Sequence, residues 1–361
     1  MGRKGVRKFL NAPPKRHRHY GPTKTVRVRK PSVEVPTESV GDAGCAMDFN
    51  GFEVGITRDL PMARVISMFD GIGAGRVVLQ RLKIAVEKYW SLEVDEQCIR
   101  ILNENFDDVI HLGSVTEFDC EAVSNIGCCH ILLGEVGMIN FSKGGSPCGD
   151  ISRQVTIQSQ QLVNPNRKGL EDVSGQSHLF YDYVRVRNQL SAAAQAQGRN
   201  FFWLFENTSH LETKVKAAMS EALGCRPIER CATKYSATKR KRLFWSNIPG
   251  VYEGREKNER RRLLQEYLGH VRTAMVPVAK TFTTNRAAQK NAMGCLPVSY
   301  QGKPEGLFAR DLEVLLGFPA GFTDYGGMSN TARSKLLGRS WSVDVVMALL
   351  APLKDFFRPE E

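Results

Sequence analysis

Apolar and polar positions fall into two regimes along this chain. Residues 1 to about 60 show no hydrophobic periodicity, and Pro13, Pro14, Pro22, Pro31 and Pro36 interrupt them, so this segment is expected to be a largely disordered tail. From Arg64 onward, short apolar runs alternate with amphipathic stretches. Arg64–Phe69 reads as a buried strand that feeds the glycine-rich turn Asp70–Gly75 and a helix over Arg76–Lys83. A strand over Ala85–Val94, a helix over Glu96–Asn105, a short strand at Val109–His111, a helix over Glu117–Ile126 and a strand over His130–Leu133 continue the pattern. A polar stretch then extends to about Gln176. It is followed by a helix from His178 to about Ala194 and a strand at Phe201–Phe205 that ends in Glu206-Asn207. Further extended runs lie around Arg226–Thr233 and over Arg240–Trp245, where two arginines at a spacing of two share one face. Residues 250 to about 305 are basic and irregular. Beyond them come a helix over Ala309–Leu316, the turn Gly317-Phe318-Pro319 and a closing amphipathic helix over Val343–Phe357.

Alternating strands and helices predict an α/β fold, a mostly parallel sheet covered by helices on both faces. Ligands of such sheets sit beyond the carboxyl ends of the strands. Phe69–Gly75, Glu93 and Cys148 all fall at that edge. The strand–glycine turn–helix opening suits a nucleotide-bearing ligand, although tight turns also require glycine. Glu93 is either the acceptor for two ribose hydroxyls or a solvated strand-end carboxylate. The expected division is a tail over residues 1–60 and one domain over 61–361.

Charge adds a partner. The 361 residues carry a formal net charge of +12 and a pI near 9.3, which favours a polyanion such as nucleic acid. Residues 1–30 contain no acidic side chain, so the tail supplies most of the excess; it is either a set of phosphate contacts or a solubilising extension. Lys15–His19 reads as a nuclear localisation signal, which makes the nucleus the expected compartment. Nine cysteines form no Cys-x-x-Cys pair, so neither a zinc site nor a disulfide framework is expected, and no membrane segment is read.

Cys148 lies in Gly144-Gly145-Ser146-Pro147-Cys148-Gly149-Asp150. A thiol just after a proline, on a loop that lets substrate approach the main chain, is placed to be a nucleophile. The alternative is an inert, partly buried small side chain.

Phe69-Asp70-Gly71-x-Gly73-x-Gly75, Ser146-Pro147-Cys148, Glu206-Asn207, Arg240-x-Arg242 and Gly338-Arg339-Ser340-Trp341 occur in the order found in DNA cytosine-5 methyltransferases. The span from about residue 62 to 358 resembles the catalytic domain of the animal de novo DNA methyltransferases. Asn164-Pro165-x-Arg167-Lys168-Gly169-Leu170 and Leu336–Val343 are further local matches.

The resemblance implies a Rossmann-like class I methyltransferase fold with a seven-stranded sheet and an irregular target-recognition region at about 250–305. It also implies methyl transfer from S-adenosylmethionine to carbon-5 of cytosine in double-stranded DNA. Cys148 is the implied thiolate that adds at carbon-6. Glu206 is implied to hydrogen-bond the ring nitrogen and exocyclic amine, and Arg242, supported by Arg240, to hold the cytosine carbonyl oxygen. The target base must be flipped out of the duplex. Phe69, Asp70, Gly71, Ile72 and Gly73 match positions around the cofactor, as do Glu93, Val94, Ser114 and Val115 on the next two strands and Arg339, Ser340 and Trp341 near the end. Asn285, Arg286 and Lys290 fall in the DNA-recognition loop. A homo- or hetero-oligomer with a related methyltransferase is a possible assembly, and no metal is implied.

The chain departs from that pattern at named places. Ser114 replaces an aspartate that binds the adenine amine, and Thr208 replaces a valine. Asn285-Arg286 displaces the recognition arginine by one residue. Asn330 replaces an arginine associated with DNA contact. Glu135–Gly144 and Arg153–Gln161 are additional residues on either side of the nucleophile. The competing reading is a catalytically silent regulatory paralogue that binds DNA or an active methyltransferase.

Overall fold

The computed structural model describes residues 60–135, 170, 176–252, 261–280, 289 and 294–361. Ala63–Met68 (β1) lies inside a seven-stranded sheet with Val86–Leu92 (β2), Val109–His111 (β3), Ile131–Glu135 (β4), Phe202–Thr208 (β5), Ile228–Cys231 (β6) and Lys241–Ser246 (β7). The strand order is β3-β2-β1-β4-β5-β7-β6; only β7 is antiparallel to its neighbours, as expected for a mostly parallel sheet. The order reverses between β1 and β4, which opens a crevice at the carboxyl edge where a ligand can lodge.

Both faces of the sheet are buried, and adjacent residues divide between them. Val65, Leu133, Leu204 and Phe244 belong to one core; Ile66, Leu132, Phe205 and Trp245 belong to the other. The first core is closed by helices Ala74–Arg81 (α1), Glu96–Asn105 (α2), Ala309–Leu316 (α6), Asn330–Arg339 (α7) and Val343–Leu350 (α8). The second is closed by Cys120–Ile126 (α3), Leu179–Ala196 (α4) and Thr213–Leu223 (α5). This two-sided burial is why the strands read as continuous apolar runs rather than alternating ones. Packing is close enough to fix small residues: a Cβ on Gly134 would lie 2.3 Å from the Tyr183 ring.

Several boundaries differ from expectation for local reasons. The third helix begins at Cys120 rather than Glu117, because the Asp119 carboxylate caps it by accepting the Ala122 N–H at 2.8 Å. The strand expected to end in Glu206-Asn207 runs from Phe202 to Thr208, and both residues are buried within it. The strand expected over Arg226–Thr233 is confined to Ile228–Cys231. The closing helix ends at Leu350 and tightens into a 3₁₀ turn over Ala351–Asp355 that contains Pro352. Two helices had not been expected, α5 and α7; Ser329 caps the latter by accepting the Ala332 N–H at 3.2 Å. Asn330 accepts the Ala309 N–H at 2.6 Å and so fixes the start of α6.

Within the irregular region, Arg272–Ala274 (β8), Val298–Tyr300 (β9) and Lys303–Glu305 (β10) form a separate antiparallel sheet. Arg272 ties it to α6 through two 2.8 Å bonds to the Asp311 carboxylate. Asn330–Asp355 is long and apolar enough in composition to cross a bilayer, but it divides at Ser340–Ser342 into α7 and α8, whose apolar residues fill the first core.

Candidate active site

The turn from β1 into α1 is built for a ligand. Phe69 is buried with φ +59°, a left-handed conformation that a bulky side chain adopts only under constraint. Its N–H donates to the Leu92 carbonyl at 2.8 Å, which locks it against β2. Gly73, at φ +78°, begins α1, and a Cβ there would stand 2.5 Å from Leu102. Only glycine allows α2 to approach this closely.

Two carboxylates sit behind the turn. Glu93, just past the end of β2, accepts the Gly71 N–H on Oε2 at 2.8 Å, and the Val94 and Asp95 N–H groups on Oε1 at 2.8 Å each. Burial outweighs these three donors and pushes its pKa up to about 7. Asp70 Oδ1 accepts the hydroxyls of Ser67 at 2.7 Å and Tyr89 at 2.8 Å, and burial raises this carboxyl to about 6. The other oxygen, Oδ2, is buried without a hydrogen-bond partner, and so is Nε1 of Trp341.

Asp70 and Trp341 line one pocket, together with Phe69, Gly71, Arg339 and Ser340. An unanswered carboxylate oxygen, an unanswered indole N–H and a guanidinium in one small cavity fit a zwitterionic amino-acid end. S-adenosylmethionine has such an end. Arg339 also bonds Asp95 at 3.1 Å, and Asp95 caps α2 by accepting the Gln97 N–H at 3.0 Å.

Other residues expected around a cofactor lie nearby in sequence and fold. Ile72 and Val115 are buried and Val94 is half-buried. The Ser114 hydroxyl bonds the Thr116 hydroxyl at 2.7 Å and accepts the Thr116 N–H at 3.3 Å.

At the carboxyl end of β5, Glu206 Oε1 pairs with Arg242 Nε at 2.8 Å, the carboxylate side chain 3% and the guanidinium side chain 16% exposed. Antiparallel pairing of Thr208 with Arg242 brings the two together from strands distant in sequence. Arg240 behaves differently from expectation. It precedes β7 rather than lying within it, is 2% exposed, and donates to the main-chain carbonyls of Ser340 at 2.5 Å and Gly338 at 3.3 Å. Its guanidinium is thus engaged by the cofactor-side chain segment. Asn207 is buried beside this pair and accepts the Thr208 N–H at 2.7 Å; Thr208 is buried too.

Cys148, Asn285, Arg286 and Lys290 lie outside the described residues. Ser67, Tyr89 and Asp95 were not expected at the site. Polar residues inside the apolar β1 and β2 runs were the signal that would have found the first two. Among the described residues, no group of three histidine, cysteine or acidic side chains is placed to hold a metal.

This is the architecture of the class I methyltransferases. An Entamoeba histolytica methyltransferase, EhMeth, superposes with a TM-score of 0.57 at 14% identity, covering 82% of this chain and 99% of that one. The S. pombe Dnmt2 methyltransferase does so with a TM-score of 0.52 at 18% identity, over 81% and 99%. Residues 63–220 match the model of the C-5 cytosine-specific DNA methylase family. DNA (cytosine-5)-methyltransferase DRM2 of Arabidopsis thaliana is 31% identical over 123 residues, 34% of this chain and 18% of that protein. The orphan methyltransferase M.SPRI of Bacillus phage SPR is 27% identical over 150 residues, 41% of this chain and 27% of the phage protein. The matched region therefore spans about a fifth to a quarter of these relatives' lengths.

Proposed function

We propose that the protein methylates carbon-5 of cytosine in double-stranded DNA, using S-adenosylmethionine and a transient bond between Cys148 and the base. The observation that carries this reading is the Glu206–Arg242 pair, held on the same sheet edge as the pocket around Asp70 and Trp341. A buried carboxylate locked to a guanidinium presents an acceptor and donors in fixed register, which suits the polar edge of a pyrimidine.

Asp70, Glu93, Arg339 and Trp341 would hold the cofactor, which supplies an electrophilic methyl group on a sulfonium sulfur. Cys148 Sγ, as thiolate, adds to carbon-6 of the cytosine and makes carbon-5 nucleophilic. Glu206 faces ring nitrogen 3 and the exocyclic amine, while Arg242 opposes charge developing on the carbonyl oxygen. Loss of the carbon-5 proton to a base then expels the thiolate and restores the aromatic ring.

Base flipping brings the cytosine to this edge. Residues 1–30 add phosphate contacts and, through Lys15–His19, direct the protein to the nucleus. The sequence around Cys148 favours de novo methylation, and a related methyltransferase is the candidate oligomeric partner.

The test is transfer of a tritiated methyl group to DNA and to RNA by wild type, Cys148→Ala and Glu206→Gln. Transfer to DNA alone is expected, lost in the first variant and reduced ~10²–10⁴-fold in the second. DNA containing 5-fluorocytosine should trap wild type covalently. A covalent adduct with Cys148→Ala, or transfer to RNA alone, overturns the reading.

A further inference from the structure

The carboxyl group of Asp70 is held from one side. Ser67 and Tyr89 both donate their hydroxyls to the same oxygen, Oδ1, at 2.7 Å and 2.8 Å, while Oδ2 is buried without a hydrogen-bond partner. The donors come from neighbouring strands: Ser67 lies on β1 and Tyr89 on β2. Tyr89 is fully buried in the first core. Its phenol reaches Asp70 beside Gly75, in the first turn of α1, where a Cβ would stand 3.1 Å from the Tyr89 hydroxyl and 2.6 Å from Leu133. Any larger residue would crowd that approach.

The terminal torsion of an aspartate is broad, so nothing intrinsic to the side chain distinguishes its two oxygens. Two hydroxyls on one oxygen fix the rotation and make the oxygens unequal. Oδ1 is answered. Oδ2 remains an open acceptor on a residue that lines the pocket together with Trp341, whose indole N–H is also unanswered. A buried carboxylate oxygen without a partner is costly, and a ligand donor, above all a cationic one, would remove the cost. Phenylalanine would fill the same core volume, so what the tyrosine adds is the hydroxyl that Asp70 accepts.

Resting on the S-adenosylmethionine reading of this pocket, we propose that Tyr89 and Ser67 are positioning residues: they hold Asp70 so that Oδ2 takes the α-ammonium of the cofactor's amino-acid end.

Titration calorimetry on the full chain tests this with three ligands. They are S-adenosylhomocysteine, its decarboxylated form, which keeps the amine, and methylthioadenosine, which lacks the amino-acid end. Tyr89→Phe should weaken the first two roughly tenfold, the order of one hydrogen bond to a charged group, and leave methylthioadenosine within about twofold. Ser67→Ala should act in the same sense. Asp70→Asn should weaken both amine-bearing ligands by about tenfold or more. Adding Tyr89→Phe to Asp70→Asn should then change their affinity by less than about twofold, because the hydroxyl has no charged group left to present. A loss equal for all three ligands, or one that persists in full beside Asp70→Asn, would make Tyr89 a packing residue and overturn the proposal while leaving the cofactor reading intact. Wild type that binds none of the three overturns the cofactor reading and the proposal with it. Thermal melting of every variant separates these outcomes from failure to fold.

Discussion

Arg240 and Ser340 are joined at 2.5 Å by a guanidinium N–H donated to a main-chain carbonyl, across 100 residues of sequence. The bond couples two halves of the site. Arg240 stands two residues before Arg242, the partner of Glu206, and Ser340 stands beside Trp341 in the cofactor-side pocket. Arg240 thus acts as a positioning residue, tying the strand that carries Arg242 to the segment that lines the pocket.

Arg240→Lys should accordingly weaken cofactor binding roughly tenfold, about 1.4 kcal/mol, because the ammonium cannot serve both carbonyls in a fork. Leaving a buried carbonyl unanswered should also lower unfolding stability by about 1–3 kcal/mol. Calorimetry with S-adenosylhomocysteine reads the first and thermal melting the second. If cofactor affinity is unchanged while turnover collapses, Arg240 acts on the base instead.

Glu93 gives a pH dependence whose sign is opposite to the usual one for a carboxylate. Its folded pKa, about 7, lies above the ordinary value of 4.5 for a glutamate, so the folded chain holds the proton more tightly than the unfolded one. The contribution to stability is complete below the lower value and is lost as pH rises through about 7. Cofactor-free protein should therefore melt at lower temperature at pH 8 than at pH 6, by an amount equivalent to about 1 kcal/mol for this group. Glu93→Gln lowers stability overall but should flatten the pH slope. An unaltered slope in the variant would assign the titration to another group; Asp70, raised to about 6, is the first alternative.

Ser114 offers a gain of function. Its hydroxyl holds Thr116 through bonds of 2.7 Å and 3.3 Å, and an aspartate at this position has oxygens to accept both. Ser114→Asp should keep the turn and add an acceptor for the adenine amine, tightening cofactor binding by roughly tenfold, the order of one charge-assisted hydrogen bond of about 1.5 kcal/mol. Titration calorimetry on both forms measures this, and equal or weaker affinity would mean that the adenine is held elsewhere.

How much of this was legible in the sequence depended on whether a feature was local. Two-sided burial writes apolar runs into β1, β4 and β5, and the glycine turn before α1 is a local necessity, so the central strands and the turn at their carboxyl edge could be read directly. The α5 helix was hidden because Lys214, Lys216 and Glu221 dilute its apolar face; only Met219 and Leu223 are buried. The role of Arg240 was hidden for a different reason. Spacing in an extended run specifies a face, whereas its carbonyl partners come from a segment that only the tertiary fold brings near. Glu206 and Asn207 were expected at the end of β5, but their burial was not legible, because it comes from pairing with β7.

The register of β4 sharpens the last prediction. Gly134 pairs with Phe205 and Glu135 with Glu206, so the strand enters the first residue of the additional segment Glu135–Gly144 before the described chain breaks off. Gly134 is fixed in place by the Tyr183 ring, which leaves no room for a Cβ. Joining Gly134 directly to Gly145 would place a glycine opposite Glu206 and bring Ser146-Pro147-Cys148 one to three residues beyond it. Loop-closure entropy grows slowly with length, so the longer connection is tolerable for folding. Its effect on rate is another matter, since an offset of about 1 Å at a nucleophile can cost on the order of a hundredfold. A protein lacking residues 135–144 and 153–161 should thus retain the thermal stability of the full chain and methylate DNA at least as fast. Single-turnover methyl transfer by the two proteins, with matched cofactor saturation, makes the comparison. An inactive deletion protein beside an active full chain would show that the added segments are working parts of the site and that Cys148 reaches the base by another path.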